Sequence, residues 1–490
     1  MSDQTVKRPS LGMALIPIFI SLAIFIGGIG ILKYPAELML LFAGVVFAIF
    51  AVLQGHQWGK IIDTMGEKIK KALPAILILF AIGLLIGTWI ISGTIPLFVF
   101  YGLNIIDPNY LYVLAFLVTA IVSTCVGTSW GSAGTIGVAI MSIAATMDLS
   151  LAITAGAVVS GAYFGDKLSP LSDTTNMSSL AAGSNIYDHI KHMLYTAIPS
   201  SILAIIVFTI VGFGIEINET QLANVQEMIS GIDQLFNLNV LLLIPAVVVI
   251  AGSLLKKSPL IVLFTSAVTA MILALIFQGA SFSNLFAAAV SGFNVDMLGS
   301  DASVISEDMQ SLLNRGGLYS MYNATFFVFV AFFFASALEV SQALNVILER
   351  IIVHLKTVGS ITFSALVTGF AVINCTSNAL VSFFLVKDIY GKVYRQKNMH
   401  PVNLSRNMED SITITEVLMP WTVSGVFMAT TLGVGNFEFL PWAIFNLGGF
   451  IFSALYGFLA PYTKGFGIRM LDDEDKNQSN NLTNSKELQQ

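Results

Sequence analysis

Long apolar runs constrain this chain more than anything else in it. Residues 11–32, 36–54, 74–92, 193–215, 238–254, 258–278, 322–338 and 439–461 each approach or exceed the roughly 20 apolar residues that a helix needs to cross a bilayer. The runs are continuous and not alternating, which excludes a membrane β-barrel. Too many lack a polar face to be buried helices of a large soluble protein. Charged residues are 11% of the chain and the mean hydropathy is +0.82. The chain reads as an all-α polytopic membrane protein. No small-residue cleavage site follows the first run, so it reads as a retained span. Cys125 and Cys375 lie in apolar segments. They are expected to be small buried hydrophobes and not a disulfide framework.

Loop charges suggest the orientation. Lys7 and Arg8, then Lys60, Lys68, Lys70 and Lys71, then Lys256 and Lys257, then Arg350, Lys356, Lys387, Lys392, Arg395, Lys397 and Arg406 cluster between or beside runs. Residues 93–110 hold no Lys or Arg, the loop 216–237 holds only acids, and 279–321 is mostly acidic. The positive-inside tendency puts the basic group in the cytoplasm, with both termini inside. The polar, acidic stretch 464–490 reads as a disordered cytoplasmic tail.

Against this background the stretch Ser160-Gly-Ala-Tyr-Phe-Gly-Asp-Lys-Leu-Ser-Pro-Leu-Ser-Asp-Thr-Thr175 is costly. Charge within a span costs roughly 2.5–3.5 kcal/mol per residue even on mild scales. Glycine and proline at 161, 165 and 170 can break a helix and free backbone carbonyls. Carboxylate, hydroxyl and carbonyl oxygens suit a hard cation such as Na⁺. A carboxylate in a partly dry site is also more easily protonated, so it can hold H⁺ instead. Asp173, flanked by Ser172 and Thr174, is the first choice for the Na⁺ site. Asp166 comes second, because Lys167 beside it offers a structural alternative: a charge pair locking the helix break.

A second half echoes the first. Cys125 to Ser132 contains Thr128 and Ser129 in an apolar stretch, and Asn374, Ser377 and Asn378 sit in another. Each is followed by an acid pair seven residues apart, Asp166 with Asp173 and Glu409 with Glu416. If each Thr-Ser segment is a re-entrant hairpin and each acidic cluster breaks a helix, the loop charges fit an inverted-topology repeat. Thr128, Ser129, Asn374, Ser377 and Asn378 can then offer oxygens to an ion. Their hydroxyls can equally bond back to their own helices. Glu409 and Glu416 are candidate ion ligands, or lie at the cytoplasmic mouth near Arg406. The five histidines, His56, His189, His192, His354 and His400, fall in or near the basic loops and are expected to be solvated.

The expected organisation is scaffold helices over 1–110, a first core repeat over 111–192, and scaffold helices over 193–357 with an external loop at 279–321. A second core repeat over 358–435, a last transmembrane helix over 436–463 and the tail over 464–490 complete it. Hairpins and broken helices included, this makes roughly 11–13 transmembrane helices.

The combination Gly127-Thr-Ser-Trp-Gly-Ser-Ala-Gly-Thr-Ile-Gly-Val138 with Ser160 to Thr175 resembles the NhaC family of sodium/proton antiporters. The resemblance extends through Asn374 and Pro420-Trp421. It implies a secondary transporter of the bacterial inner membrane with two inverted repeats, exchanging Na⁺ for H⁺ without a cofactor or a nucleic-acid partner. Carriers of this build commonly form homodimers. The family also includes exchangers of small carboxylates, malate against lactate, and amino acid carriers. For an organic anion, Lys167 is the basic residue inside the motif that could serve.

A membrane enzyme is the competing class. Gly127-Thr-Ser-Trp-Gly131 matches the G-x-S-x-G nucleophile pattern, but in helix-like sequence without a strand–turn–helix setting. No histidine in an apolar run could activate Ser129.

Overall fold

Every apolar run becomes a helix, because a chain in lipid must satisfy its backbone groups within itself. The computed structural model describes residues 8–32, 34–215, 219–298, 310, 313–352, 356–463 and 466–471. Among these there is no β-strand, and one isolated antiparallel bridge joins Met399 and Met470. Seven helices are long and apolar enough to span a membrane, or ten when each bent pair counts as one span. Shorter apolar helices at Thr94–Ile105, Phe282–Ser291 and Ile444–Leu459 add to these.

The molecule is built for an apolar solvent. On the helix Ile186–Phe213, residues Leu194, Ile198, Ile202, Ile206 and Ile210 form an exposed stripe at four-residue spacing. In water such a stripe is a liability, and in lipid it is solvated. Polar side chains collect inside instead: Thr154, Ser160, Lys167, Arg406, Glu409 and Asp410 are all fully buried.

Two units stand out. In the first, the helix Leu111–Val126 turns at Gly127 into a second arm that starts at Ser129 and runs through a π-helical stretch Ala133–Gly137 to Thr146. A broken helix follows, Leu151–Leu168 and then Asp173–Ala182. In the second unit the hairpin is Val358–Thr376 with Ala379–Gln396. Its broken helix runs from Pro401–Met408 through π-helical Glu409–Thr413 to Ile414–Glu416, then resumes at Val423–Leu432.

The two units align without a gap at an offset of 250 residues. Left-handed turns pair Gly127 with Ser377 and Asp148 with Asn398. N-caps pair Thr128 with Asn378, Ser150 with His400, and Ser172 with Thr422. Left-handed glycine caps pair Gly183 with Gly433. Pro170 pairs with Pro420 at the breaks, and Cys125 with Cys375. This register corrects the acid pairing expected from the seven-residue spacing. Asp166 corresponds to Glu416, while Asp173 corresponds to Val423 and Glu409 to Val159.

The hairpin and broken helix of the first unit touch backbone to backbone. A Cβ at Gly161 would meet the carbonyl of Phe116, and one at Gly165 the amide of Thr124 and carbonyl of Ala120. Here the small-residue spacing is a real helix contact. Gly165→Val is expected to cost about 1–3 kcal/mol or more through overpacking, read as a lower melting temperature of purified protein in detergent.

Several loop expectations change. Residues 94–105 and 219–235 are helical. The tail is not wholly disordered, since residues 466–471 return to the start of the second broken helix. There His400 N donates to Arg469 O (2.9 Å) and Leu471 N to Asn398 O (2.8 Å). Residues 472–490, most of the tail expectation, lie outside the described residues, as does His354. Cys125 and Cys375 are free thiols: Cys125 is exposed, contrary to expectation, while Cys375 is half-buried and packs against the hydrophobic core.

Candidate ion site

Breaking a helix frees carbonyls, and nearby side chains take them up. Thr175 Oγ1 donates across the first break to Asp166 O (3.2 Å) and Lys167 O (3.0 Å). Across the second, Thr422 Oγ1 donates to Glu416 O (2.5 Å), and Asn436 Nδ2 to Val417 O (2.8 Å). Ser172 and Thr422 cap the resumed helices by accepting from the amides of Thr175 and Gly425. Both breaks are thus held open by hydroxyls and an amide, without use of their carboxylates.

Both breaks and both hairpin turns border one cavity of about 610 Å³. Lys71, Asp173, Lys256 and Lys257 are its exposed charged members. Ser129, Tyr163, Asp166, Thr413, Glu416 and Ser424 are buried members of its lining. Ser129 Oγ donates to Asp166 Oδ2 at 2.9 Å, joining the first turn to the first break. The arms that begin at Ser129, Asp173, Ala379 and Val423 all present their N-terminal residues to this cavity. Trp130 stacks on Phe427 (4.3 Å between centroids), tying the first hairpin to the resumed helix of the second unit.

The expected site residues divide into two groups. Thr128, Ser129, Asp166, Ser172, Asp173, Thr174, Ser377, Asn378 and Glu416 line the cavity. Asn374, Lys167 and Glu409 do not. Asn374 Nδ2 bonds back to Phe370 O (2.7 Å). Asp173 is exposed at the first turn of its half-helix, where the helix dipole favours an acid whatever its function. Asp166 is 6% exposed and holds the deeper position.

Lys167 is paired neither with Asp166 nor with the cavity. It is fully buried, forms a close ion pair with Asp410, and donates to Thr196 Oγ1 at 3.1 Å. The pair therefore joins the two broken helices. Asp410 was missed because the seven-residue spacing drew attention to Glu409 beside it. The histidine expectation also fails at two positions: His189 is fully buried and His192 is 6% exposed. His189 Nε2 meets Ser178 Oγ (3.1 Å), and His192 Nε2 meets Asn403 Oδ1 and Arg406 (both 3.1 Å).

Two hairpins and two broken helices around one polar cavity, inside an apolar bundle, define a secondary transporter. The chain belongs to the Na⁺/H⁺ antiporter family, whose model matches residues 161–460. It is 44% identical to a Haemophilus influenzae protein named as an uncharacterized Na⁺/H⁺ antiporter, over 95% of this chain and 98% of that one. It is 32% identical to the Na⁺/H⁺ antiporter NhaC of Alkalihalophilus pseudofirmus, over 92% and 96% of the two chains. It is also 32% identical to the malate-2H⁺/Na⁺-lactate antiporter of Bacillus subtilis, over 95% and 98%. These relatives are antiporters and the protein is not an enzyme. In the G-x-S-x-G stretch, Ser129 meets a carboxylate in place of a histidine base.

Proposed function

We propose that this protein exports Na⁺ from the cytoplasm in exchange for H⁺ by alternating access across the bacterial inner membrane. The observation that carries this reading is the burial of Asp166 and Glu416, the equivalent carboxylates of the two units, in the lining of one cavity. Asp166 and Ser129 offer adjoining oxygens, and Glu416 a second carboxylate, as a hard cation requires. A buried carboxylate must be neutralised, by Na⁺ or by H⁺, and competition for one site couples the two. Lys256 and Lys257 lie in a basic turn and Lys71 in the basic first half of the helix Trp58–Ile91, so the positive-inside tendency supports an opening toward the cytoplasm. In everted membrane vesicles carrying a pH gradient, Na⁺ alone is expected to dissipate the gradient. No response from mildly acidic to alkaline pH would overturn the reading.

One observation favours a second reading. A cavity of about 610 Å³ is far larger than a bare cation needs, and the arms starting at four helix N-termini and three lysines border it. Helix N-termini attract anionic groups. The malate/lactate relative keeps exchange of small carboxylates, coupled to Na⁺ and H⁺, in view. In that case Na⁺ alone does little in the vesicles until malate or lactate is supplied.

A further inference from the structure

Six acidic or basic side chains of the two broken helices are buried: Asp166, Lys167, Arg406, Glu409, Asp410 and Glu416. Asp166 and Glu416 line the cavity; the other four do not. Within that group of four, Lys167 and Asp410 form the one close ion pair. Arg406 Nε stands 3.9 Å from Asp410 Oδ2, and neither atom has a hydrogen-bond partner among the described residues. Both carboxyl oxygens of Glu409 also lack a partner there, although the residue is fully buried. The hydroxyls of Ser178 and Thr413 border it. Thr413 lines the cavity, and Ser178 leads on to His189. Two cations and two carboxyl groups are therefore packed together around a single close pair. A fully buried carboxylate bordered by two hydroxyls and in no close ion pair is costly to keep charged, and a proton relieves it.

We propose that Glu409 is a second protonation site of this transporter, linked to the cavity through the Thr413 hydroxyl, and that Lys167 passes from Asp410 to Glu409 when the proton leaves. Arg406 then closes its gap to Asp410 Oδ2, so the deprotonated group holds two complete pairs and no net charge. The proton passes between Glu409 and water in the cavity by way of Thr413. The groups around Glu409 are consistent with this exchange. Asp166 and Lys167 face it from the first broken helix, and His189 and His192 lie on the neighbouring helix Ile186–Phe213. Arg406 and Asp410 share its own helix. Tyr390 and Tyr394 pack from the second hairpin, with hydroxyls already held by Ser364, Thr368 and Asn407. The last helix brings Asn446, which is not titratable, and Tyr456, whose hydroxyl interacts with Arg406. The inference rests on the proton-coupled reading above.

Infrared difference spectra of the full-length protein in lipid, between alkaline and mildly acidic buffer without Na⁺, detect protonated carboxyl groups by their C=O stretch. A carboxylic-acid band that vanishes in Glu409→Gln and shifts in Glu409→Asp is expected. Spectra unchanged in Glu409→Gln would overturn the proposal. Should that variant fail to accumulate, Glu409→Asp decides, since an unshifted band overturns it equally. No Na⁺ flux is read, so failure here is distinct from failure of the vesicle assay.

Discussion

Asp166→Asn is expected to lower Na⁺-driven proton movement in vesicles by about 100-fold or more, equivalent to ~2.8 kcal/mol of lost binding and coupling. The amide keeps the shape and can still accept from Ser129, whose hydroxyl now lies 2.9 Å from the carboxylate. It can neither neutralise a cation nor carry a proton. A structural role would survive this isosteric change, whereas an exchange site would not. Asp173→Asn is the contrast. Asp173 is an exposed member of the cavity lining, where water screens its charge, so a severalfold weaker response to Na⁺ at most is expected. Equal loss in both variants would move the site outward to Asp173. Normal transport by Asp166→Asn would remove it from the first break altogether.

The second large effect concerns stability. Lys167→Met is expected to destabilise the protein by about 3 kcal/mol, because it removes the close partner of buried Asp410 and leaves Arg406, 3.9 Å away, as its one remaining cation among the described residues. Asp410→Leu should cost a similar amount by stranding Lys167. The double variant Lys167→Met/Asp410→Leu is expected to recover part of the loss, since an apolar pair of similar volume replaces a desolvated ionic one while Arg406 loses its carboxylate 3.9 Å away. Melting temperatures of the four proteins in one detergent complete the cycle. Additive losses would show that the two residues do not act as a pair. The partners come from different units, 243 residues apart, so the cycle also reports whether the two broken helices are joined.

Much of this was legible from residues alone, for reasons of scale. Hydropathy sums over windows of about 20 residues, so the helices at 36–53, 259–277 and 322–340 follow from composition. The turn at Gly127 and the breaks near Pro170 and Pro420 have local causes, in residues that tolerate or force a departure from helix, whereas Ser377 takes the same left-handed turn without such a residue. Facing is a different matter. Asp173 and Asp166 look alike in sequence, and only packing exposes one and buries the other. Lys167 offers no local sign that its partner is Asp410 and not the adjacent Asp166. His189 and His192 sit where loop counting puts them near water, but the returning segment 466–471 and the second broken helix pack over that end. The register of the repeat was misread because a seven-residue spacing recurred by coincidence. The alignment at 250 becomes visible once caps and left-handed turns are matched.

The unbroken alignment of the two units bears on direction. Two identical copies in opposed orientation would make a transporter with no preference between its two faces. In this chain the backbones correspond while the charges do not. Lys167 stands opposite Val417, Asp173 opposite Val423, Arg406 opposite Gly156, Glu409 opposite Val159, and Asp410 opposite Ser160. In a carrier that alternates between two such units, any difference in free energy between its inward-open and outward-open forms has to come from positions where the units differ, and within the broken helices the charged ones are these five, apart from the shared carboxylates Asp166 and Glu416.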